Sequence, residues 1–301
     1  MLGVVGTVPD PQFPVTHGKV CLADGFLRIN DRKVAINRGT PALLAAAVKT
    51  SQWLNGPEVY AFLVGDIGRG GGSRALYQFL EQHLAAFNFS VLTFHYLQPD
   101  VDWHNRVLFA VQAMAPPPVL IADAGFMYAA KMSGQAASYD LFTPDQGELA
   151  FLADEMAPHP FYTRGFILHQ DQAIPDLIRR AYQHHNAADY LLVKGKSDYL
   201  ADKNKVIATV DTPGFNAMEA IGGTGDTLTG LLTVLCGTAF SLADAAVAAA
   251  LANRWTGACA DPSPATQIAA LIDKIPQALS KTMDAYPKEN NHDGYRKNTP
   301  D

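Results

Sequence analysis

Strand-length runs of almost uninterrupted apolar residues recur along the chain, and they restrict its fold more than any other feature. EVYAFLV at 58–64 and YLLVK at 190–194 are examples. A strand with one solvated face alternates apolar and polar residues, whereas a strand buried on both faces does not, as in parallel sheets. The runs predicted as strands are 58–64, 89–96, 118–122, 139–142 and 190–194, with further candidates at 197–200 and 205–210.

Segments with a helical spacing of apolar residues lie between these runs. They are 40–54, 73–87, 147–155, 173–184, 226–235, 241–258 and 264–283. Because strands and helices alternate over most of the chain, the expected fold class is α/β. The expected architecture has three layers, α/β/α, with a mostly parallel sheet as the central layer. No internal repeat or linker divides the chain, so 1–285 is predicted to be a single domain. Residues 286–301 are polar without an apolar period, which predicts a loose tail.

The composition disfavours several classes of protein. Of 301 residues, 48% are hydrophobic, enough for a sizeable core, and the net charge of −6 comes without a basic stripe. Nucleic acid and anionic membrane surfaces are therefore not expected partners. The three cysteines show no CxxC spacing, which disfavours a disulfide framework or a structural zinc site. The first residues lack the pattern of a signal peptide, so we expect a cytoplasmic protein.

The apolar stretch 228–252 is long enough to span a bilayer. It contains one charge, Asp244, but Gly237 interrupts it, and Ser241 to Asp244 has the pattern of a capping box. We therefore expect two core helices joined by a turn, and no membrane span.

A glycine-rich loop opens the first of these helices, in the sequence AIGGTGDTLTGLLTVLCG at 220–237. Leucines at 228, 231, 232 and 235 have the spacing of one helix face. The loop 222–226 therefore ends at a helix N-terminus, where free amides and the helix dipole attract anions and glycines let an anion come close. A carboxylate, Asp226, is unexpected beside a phosphate. One explanation is that Asp226 takes the proton of a hydroxyl that attacks a phosphoryl group. The alternative is that Asp226 only caps the helix.

This loop and four other segments resemble a known superfamily. The four are VGDIGRGGGS at 64–73, IADAG at 121–125, LFTPDQGEL at 141–149 and LLVKG at 191–195. GGTGDTLTG is similar to the signature loop of the ribokinase-like superfamily. The rest of the chain most resembles its YjeF C-terminal branch, the ADP- or ATP-dependent NAD(P)H-hydrate dehydratases, in order and spacing from about residue 58 to residue 275.

The resemblance implies a role for each matching residue and a small-molecule substrate. Gly223, Thr224 and Gly225 would form an anion hole, and Asp226 would be the catalytic base. ADP or ATP would be the nucleotide, and Glu148 would hold Mg²⁺ directly or through water. The nucleotide-binding residues would be Lys194, Gly195, Gly222, Gly225 and Gly68. The substrate residues would be Asp123, Gly65, Asp66 and Asp145. The resemblance also implies a homo-oligomer.

Simpler explanations stay open for three of these residues. Glu148 is also the charge that a first helical turn favours, and Lys194 is also an ordinary lysine at a strand end. Asp123, followed by Ala-Gly, is also typical of a turn.

Other polar residues carry weaker signals. Asp100, Asp102, Trp103 and His104 are predicted to lie in a solvated loop, and His184 and His185 on the surface. The segment HPFYTRGF at 159–166 is either a lid or an interface.

Two departures from the family pattern leave the reaction open. Dehydratases carry His-Pro where this chain has Asp145 and Gln146, which is closer to the Asn-x-x-Glu of vitamin kinases. The N-terminal part is reduced to an expected opening strand at 17–25 and an expected helix within 36–48, capped by Thr40. The resemblance as a whole still makes NAD(P)H-hydrate dehydratase the expected function. The alternatives are a small-molecule kinase, acting on a sugar or vitamin precursor, and a non-catalytic nucleotide-binding protein.

Overall fold

The computed structural model describes residues 1–159 and 173–285. Its strands are β1 Leu2–Val8, β2 Thr16–Ala23, β3 Phe26–Ile29, β4 Arg32–Ala35, β5 Val59–Gly65, β6 Val91–Phe94, β7 Val119–Ala122, β8 Leu141–Phe142, β9 Tyr190–Val193, β10 Asp198–Ala201 and β11 Val206–Val210. Its α-helices are α1 Thr40–Leu54, α2 Gly71–His83, α3 Val101–Gln112, α4 Ala124–Met132, α5 Gln146–Ala153, α6 Ile174–Gln183, α7 Thr224–Cys236, α8 Leu242–Ala260, α9 Ile268–Ile272 and α10 Ile275–Ala285.

The strands join into one sheet, in the order β11-β10-β9-β8-β7-β6-β1-β5-β2-β3-β4. The central strands, from β9 through β1 to β5, pair in parallel. β10 and β11 extend one side antiparallel, and β2 to β4 extend the other in the same way. Because the central strands run in one direction, their carboxyl ends share one edge, and the loops that follow them can build a common site there.

Consecutive residues of the central strands face two separate hydrophobic cores. In β1, Val4 packs into the core that includes α1, α7 and α8, and Val5 packs into the core that includes α2 to α6. Both side chains are fully buried. This explains the uninterrupted apolar runs, since neither face of the central sheet meets solvent. The expected three-layer α/β/α fold is confirmed, with the parallel pairing concentrated in the centre of the sheet.

The central strand β1 is absent from the sequence prediction, which placed the opening strand at 17–25. That segment forms β2, which pairs antiparallel with β5. The glycines of β1 resemble a loop in the sequence, but they serve close packing. A Cβ on Gly6 would lie 2.3 Å from Thr40 Oγ1 and 2.7 Å from the carbonyl oxygen of His95. Only glycine lets β1 pass this close to the start of α1 and the end of β6.

The solvated loop predicted around Asp100 is wrong, because α3 begins there. The Asp100 side chain accepts a hydrogen bond from the Trp103 amide and caps the helix. His104 is fully buried and lies 2.8 Å from the Tyr139 hydroxyl through Nε2. Acidic residues that suggested a loop are helix-start signals, since carboxylates near an N-terminus satisfy free amides and the dipole.

The remaining helix predictions differ only in detail. The segment 264–283 is divided into α9 and α10, and α4 follows Asp123 without having been predicted. The apolar stretch 228–252 forms parts of two helices, α7 and α8, as expected. Within 1–159 and 173–285, no helix combines the length and apolar character that a bilayer crossing requires. The predicted tail at 286–301 and most of the predicted lid or interface at 159–166 lie outside the described residues.

Helix α7 packs against α1 through a glycine, which gives a first prediction. A Cβ on Gly230 would lie 2.3 Å from the Leu43 carbonyl oxygen and 3.0 Å from Ala46 Cβ. Gly230→Ala should therefore lower the free energy of unfolding by about 1–3 kcal/mol despite the better helix propensity of alanine. Gly71→Ala is the matched control, because a Cβ there meets nothing within 4 Å, and its effect should stay within about 0.5 kcal/mol. Chemical denaturation of both variants measures the difference, and equal values would contradict this packing.

Candidate active site

Asp226 lies in the first turn of α7 and is 8% exposed. Its carboxylate does not bond to its own helix. Oδ2 accepts a 2.6 Å hydrogen bond from the Gly39 amide, just before α1, and Oδ1 lies 3.1 Å from His95 Nε2, just after β6. The helix begins at Gly223, which has a left-handed φ of 110° and provides no side-chain cap. These contacts argue against Asp226 being only a helix cap.

The surroundings of Asp226 favour its ionised form. Burial by itself raises the pKa of this carboxyl, but the hydrogen bond with His95, the Gly39 amide and the charge of Lys194 act against that effect. The net result is a pKa of Asp226 below its ordinary value. The carboxylate is therefore charged at neutral pH and can accept a proton as a weak base.

The glycine loop is anchored just before Asp226. The Thr224 hydroxyl donates to the carbonyl oxygens of Met218 and Ile221, at 3.2 Å each. Thr224 therefore anchors the loop through its side chain. A Cβ on Gly222 would lie 3.3 Å from Cδ of the exposed Arg38. Because α7 begins here, its first amides and its dipole face the same region as Asp226.

Lys194 follows β9 and reaches the same region from the other side of the sheet centre. Its side chain is 13% exposed and donates 2.9 Å hydrogen bonds to both carboxylate oxygens of Asp123. A Cβ on Gly225 would lie 3.5–3.6 Å from the end of this side chain. Burial lowers the pKa of Lys194, but Asp123, Glu148 and Asp226 raise it above its ordinary value. It is a buried, charged group at the α7 mouth and not a surface lysine.

Asp123 combines a local role with a role in the site. Oδ1 accepts a 2.9 Å hydrogen bond from the Ala124 amide at the start of α4, which is the turn chemistry considered from the sequence. The Thr229 hydroxyl of α7 donates to Oδ2 at 2.7 Å, and His95 Nε2 lies 3.7 Å from the same oxygen. Asp123 thus connects the Lys194 ammonium with the His95 imidazole.

Glu148 and Asp145 form a reciprocal cap at the start of α5. The Asp145 amide donates to Glu148 Oε2 and the Glu148 amide donates to Asp145 Oδ1, both at 2.8 Å. The Tyr128 hydroxyl lies 3.4 Å from Glu148 Oε1. Burial, followed by the charges of Asp123 and Asp145, raises the pKa of Glu148 against the opposing effect of Lys194. The first-turn role of Glu148 is therefore real, and its charge is coupled to the same cluster.

The loop after β5 is organised by Asp66. Asp66 Oδ1 accepts hydrogen bonds from the amides of residues 68, 69 and 70, and Oδ2 accepts from the Ser73 amide and hydroxyl. A Cβ on Gly65 would overlap the Asp10 carbonyl oxygen, whereas Gly68 has a φ of 90° and open space around it. The geometry gives Asp66 and Gly65 roles within the protein, so substrate contact by these two residues and nucleotide contact by Gly68 stay predictions.

Gly195 is held by an ion pair that the sequence prediction missed. Its amide donates to Asp198 Oδ1 at 3.0 Å, and Arg254 of α8 donates to Asp198 Oδ2 at 2.8 Å. Arg254 also donates to the carbonyl oxygens of Gly195, Lys196 and Asp211. Arg254 is the only charged residue between 245 and 260, and such an isolated charge in an apolar helix is the signal that could have found it.

His95 is the second residue that sequence reasoning missed. It lies directly after β6, is fully buried and contacts Thr40, Asp226 and Asp123. The sequence shows only a histidine at the end of an apolar run, and its partners lie far away along the chain. The site thus combines residues that follow β6, β7, β8 and β9 with the starts of α1 and α7.

The chain has recognisable relatives. Residues 98–281 match the model of the carbohydrate kinase-like family described as NAD(P)H-hydrate dehydratase. An uncharacterized protein of Methanocaldococcus jannaschii is 38% identical over 242 residues, which cover 80% of this chain and all of that protein.

Solved structures show the same fold at low sequence identity. A hypothetical protein of Streptococcus mutans has a TM-score of 0.55 and 16% identity, covering 93% of this chain and 91% of its own. The tetrameric inhibited form of Escherichia coli phosphofructokinase-2 has a TM-score of 0.54 and 16% identity, covering 93% and 100%. Staphylococcus aureus pyridoxal kinase in complex with ADP has a TM-score of 0.52 and 14% identity, covering 86% and 87%. These similarities confirm the ribokinase-like fold.

The buried Arg254–Asp198 pair gives a second prediction. Its side chains are 9% and 6% exposed, so Arg254→Met leaves a buried carboxylate without its partner. The free energy of unfolding should fall by about 3–5 kcal/mol. Arg28→Met is the control, since Arg28 pairs with Asp24 at 2.7 Å but the carboxylate side chain is 74% exposed, and its effect should be about 0–1 kcal/mol. Urea denaturation of both variants tests this, and equally small effects would argue against an anchoring role for Arg254.

Proposed function

Because the chain belongs to the NAD(P)H-hydrate dehydratase family, we propose that it is an ADP- or ATP-dependent dehydratase of hydrated NADH or NADPH. The family and the fold make it an enzyme of the ribokinase-like superfamily. In the proposed reaction, the hydroxyl of the hydrate receives a phosphoryl group from the nucleotide. Phosphate then leaves with the C–O bonding electrons, a proton is lost, and the reduced nicotinamide is restored. The single observation that carries the proposal is the buried Asp226 carboxylate at the mouth of α7, held by the Gly39 amide and His95.

Asp226 would act in the first step by accepting the proton of the attacking hydroxyl. Phosphoryl transfer has a loose transition state with little bonding to the attacking oxygen, so orientation by a weak base is sufficient. The lowered pKa of Asp226 keeps its carboxylate free of protons at neutral pH. If the protein only bound a nucleotide, a buried, charged carboxylate at this position would have no evident purpose. This argues against a non-catalytic binding protein.

The charge of the transferred group would be balanced by the α7 mouth and by Lys194. The amides of Gly223, Thr224 and Gly225 lie at the positive end of the α7 dipole. Lys194 carries a largely buried positive charge beside Gly225 and pairs with Asp123. Such fixed charges stabilise a transition state without needing to reorganise. We propose that Gly195 and Gly222 border the nucleotide at the same sheet edge, and that Asp123 and Asp145 face the substrate.

The residues present fit a magnesium ion whose coordination shell is completed by nucleotide phosphates and water. Within the described ranges, no three His, Cys, Asp or Glu side chains come together as a metal cage. Mg²⁺ is commonly held by one or two carboxylates with phosphates and water instead. Glu148, with Asp145 beside it, supplies such carboxylate oxygens. When bound, the ion would neutralise phosphate charge. Glu148 would bind it as a carboxylate, although the pKa of Glu148 is raised in its surroundings.

A small-molecule kinase is the second candidate, favoured by Asp145 and Gln146 in place of the dehydratase His-Pro. A kinase would share Asp226, the α7 mouth and the nucleotide, and would differ in its substrate pocket and in releasing a stable phosphorylated product. For either function, we propose a cytoplasmic homo-oligomer. The tetrameric state of the phosphofructokinase-2 relative supports the oligomer by analogy.

The proposed activity predicts recovery of reduced nicotinamide. Purified protein with hydrated NADH, Mg²⁺ and either ADP or ATP should restore NADH absorbance, release inorganic phosphate and depend on the nucleotide. Hydrated NADPH in the same assay compares the two substrates, and omission of nucleotide is the control. A phosphorylated product that persists would instead identify a kinase. No product with either nucleotide would contradict the dehydratase proposal.

Asp226→Asn should abolish turnover while nucleotide binding is retained. Loss of a base acting in the transition state costs about 10²- to 10⁴-fold in rate. The nucleotide Kd, measured by calorimetry, should change by less than about threefold, since the ground state does not need this carboxylate. Asp24→Asn, at an exposed carboxylate near β3, is the control and should keep wild-type activity. Turnover of Asp226→Asn near the wild-type rate would disprove the role of this residue as base.

A further inference from the structure

His95 occupies the point where the elements of the site meet. Its side chain follows β6 and is fully buried. Nε2 lies 3.1 Å from Asp226 Oδ1 and 3.7 Å from Asp123 Oδ2, and Nδ1 lies 3.0 Å from the Thr40 hydroxyl. One imidazole therefore touches the proposed base, a second buried carboxylate and the first residue of α1.

We propose that Thr40 and His95 form a positioning relay that holds the Asp226 carboxylate in its catalytic orientation. The proposal rests on the proposed role of Asp226 as base. His95 does not need to touch the substrate, because it acts through Asp226.

The hydrogen-bonding capacities of the groups define the relay. An ionised carboxylate can only accept, so His95 Nε2 carries the hydrogen that points to Asp226. In a neutral imidazole, Nδ1 then accepts, and the Thr40 hydroxyl can donate to it. Thr40 thereby fixes the tautomer in which His95 donates to the base. This is how second partners of a histidine commonly set its orientation.

The start of α1 fixes the carboxylate at two points. The Gly39 amide donates directly to Oδ2, while the next residue, Thr40, acts on Oδ1 through His95. With a donor on each oxygen, the carboxylate plane cannot rotate freely. A displacement of about 1 Å in a reacting group can cost roughly 10²-fold in rate, so this restraint has a kinetic consequence.

His95 also lies between two negative charges. The charged or titratable groups around Asp226 and His95 come from several elements: Asp226 from α7, Asp123 after β7, Lys194 after β9, Glu148 from α5 and Tyr96 next to His95. Of these, only Lys194 is a permanent cation, and it is bonded to Asp123. Removal of His95 takes away one of the two hydrogen-bond donors that stabilise the Asp226 carboxylate. The pKa of Asp226 should therefore rise.

The test compares His95→Phe, His95→Gln and Thr40→Val. His95→Phe keeps a planar ring but removes both hydrogen bonds, whereas the glutamine amide can still donate toward Asp226. Thr40→Val keeps the shape of Thr40 and removes only the bond that fixes the tautomer. We expect kcat to fall by about 10- to 100-fold in His95→Phe and by less in the other two, with nucleotide KM within about threefold of wild type.

The pH dependence separates positioning from structural support. The folded pKa of Asp226 lies below its unfolded value, so the ionised form is present at neutral pH and is lost only as the pH falls through that lowered value. The acid limb of kcat should move to higher pH in His95→Phe and move back toward wild type in His95→Gln. A ¹³C NMR titration of the aspartate carboxyl carbons, with Asp226→Asn to identify the signal, measures the same pKa without any need for turnover.

The outcomes distinguish this inference from the proposed function. An Asp226 pKa and a kcat profile that are unchanged in His95→Phe would overturn the relay, even if Asp226→Asn is inactive. Full activity of Asp226→Asn would instead overturn the proposed base, and with it the reaction step. If His95→Phe does not fold, a wild-type kcat together with a wild-type Asp226 pKa in Thr40→Val would overturn the relay as well, because that variant removes the bond that fixes the tautomer.

Discussion

Two buried carboxylates, Asp226 and Asp123, share a small volume at one edge of the sheet, and the rest of the site depends on keeping both of them compensated. Burying a charge costs several kcal/mol unless donors and opposite charges replace water. The structure supplies Lys194 and Thr229 to Asp123, the Gly39 amide to Asp226, and His95 between the two. An acidic centre that must accept a proton can exist here because each oxygen already has a partner.

The doubly covered parallel sheet is what brings these partners together. Residues that follow β6, β7 and β9 supply His95, Asp123 and Lys194, because parallel strands end at a common edge. The starts of α1 and α7 then complete the centre from one side of the sheet. Close contact between the α1 start and β1 requires Gly6, and contact between α1 and α7 requires Gly230. Gly6 and Gly230 therefore influence where the start of α1 lies, and with it the Gly39 amide that donates to the Asp226 carboxylate.

The sequence predicted those parts whose evidence is local or lies in a family motif. Apolar runs indicated the central strands other than β1, the glycine loop before a helix singled out Asp226, and the family resemblance proposed Asp123, Lys194 and Glu148. Features whose evidence is tertiary were missed. The glycines of β1 have meaning only beside Thr40, and His95 has meaning only beside Asp226, which lies 131 residues away along the chain. Arg254 likewise finds its partners across 43 to 59 residues. Periodicity and motif spacing do not contain this information.

The structure also changes the weight of the sequence argument for a kinase. That argument depends on the reduced N-terminal part and on Asp145, which replaces a residue of the dehydratase pattern. In the fold, Asp145 is the N-cap of α5 and forms a complete capping box with Glu148, an arrangement that stabilises a helix start in any protein. Helix capping alone thus accounts for an aspartate at this position, without any difference in substrate. Because the same box also fixes the Glu148 carboxylate, one local interaction orients the metal-binding candidate in either enzyme. An aspartate at residue 145 therefore does not by itself distinguish elimination from stable phosphorylation, and the choice depends on everything that surrounds the substrate hydroxyl.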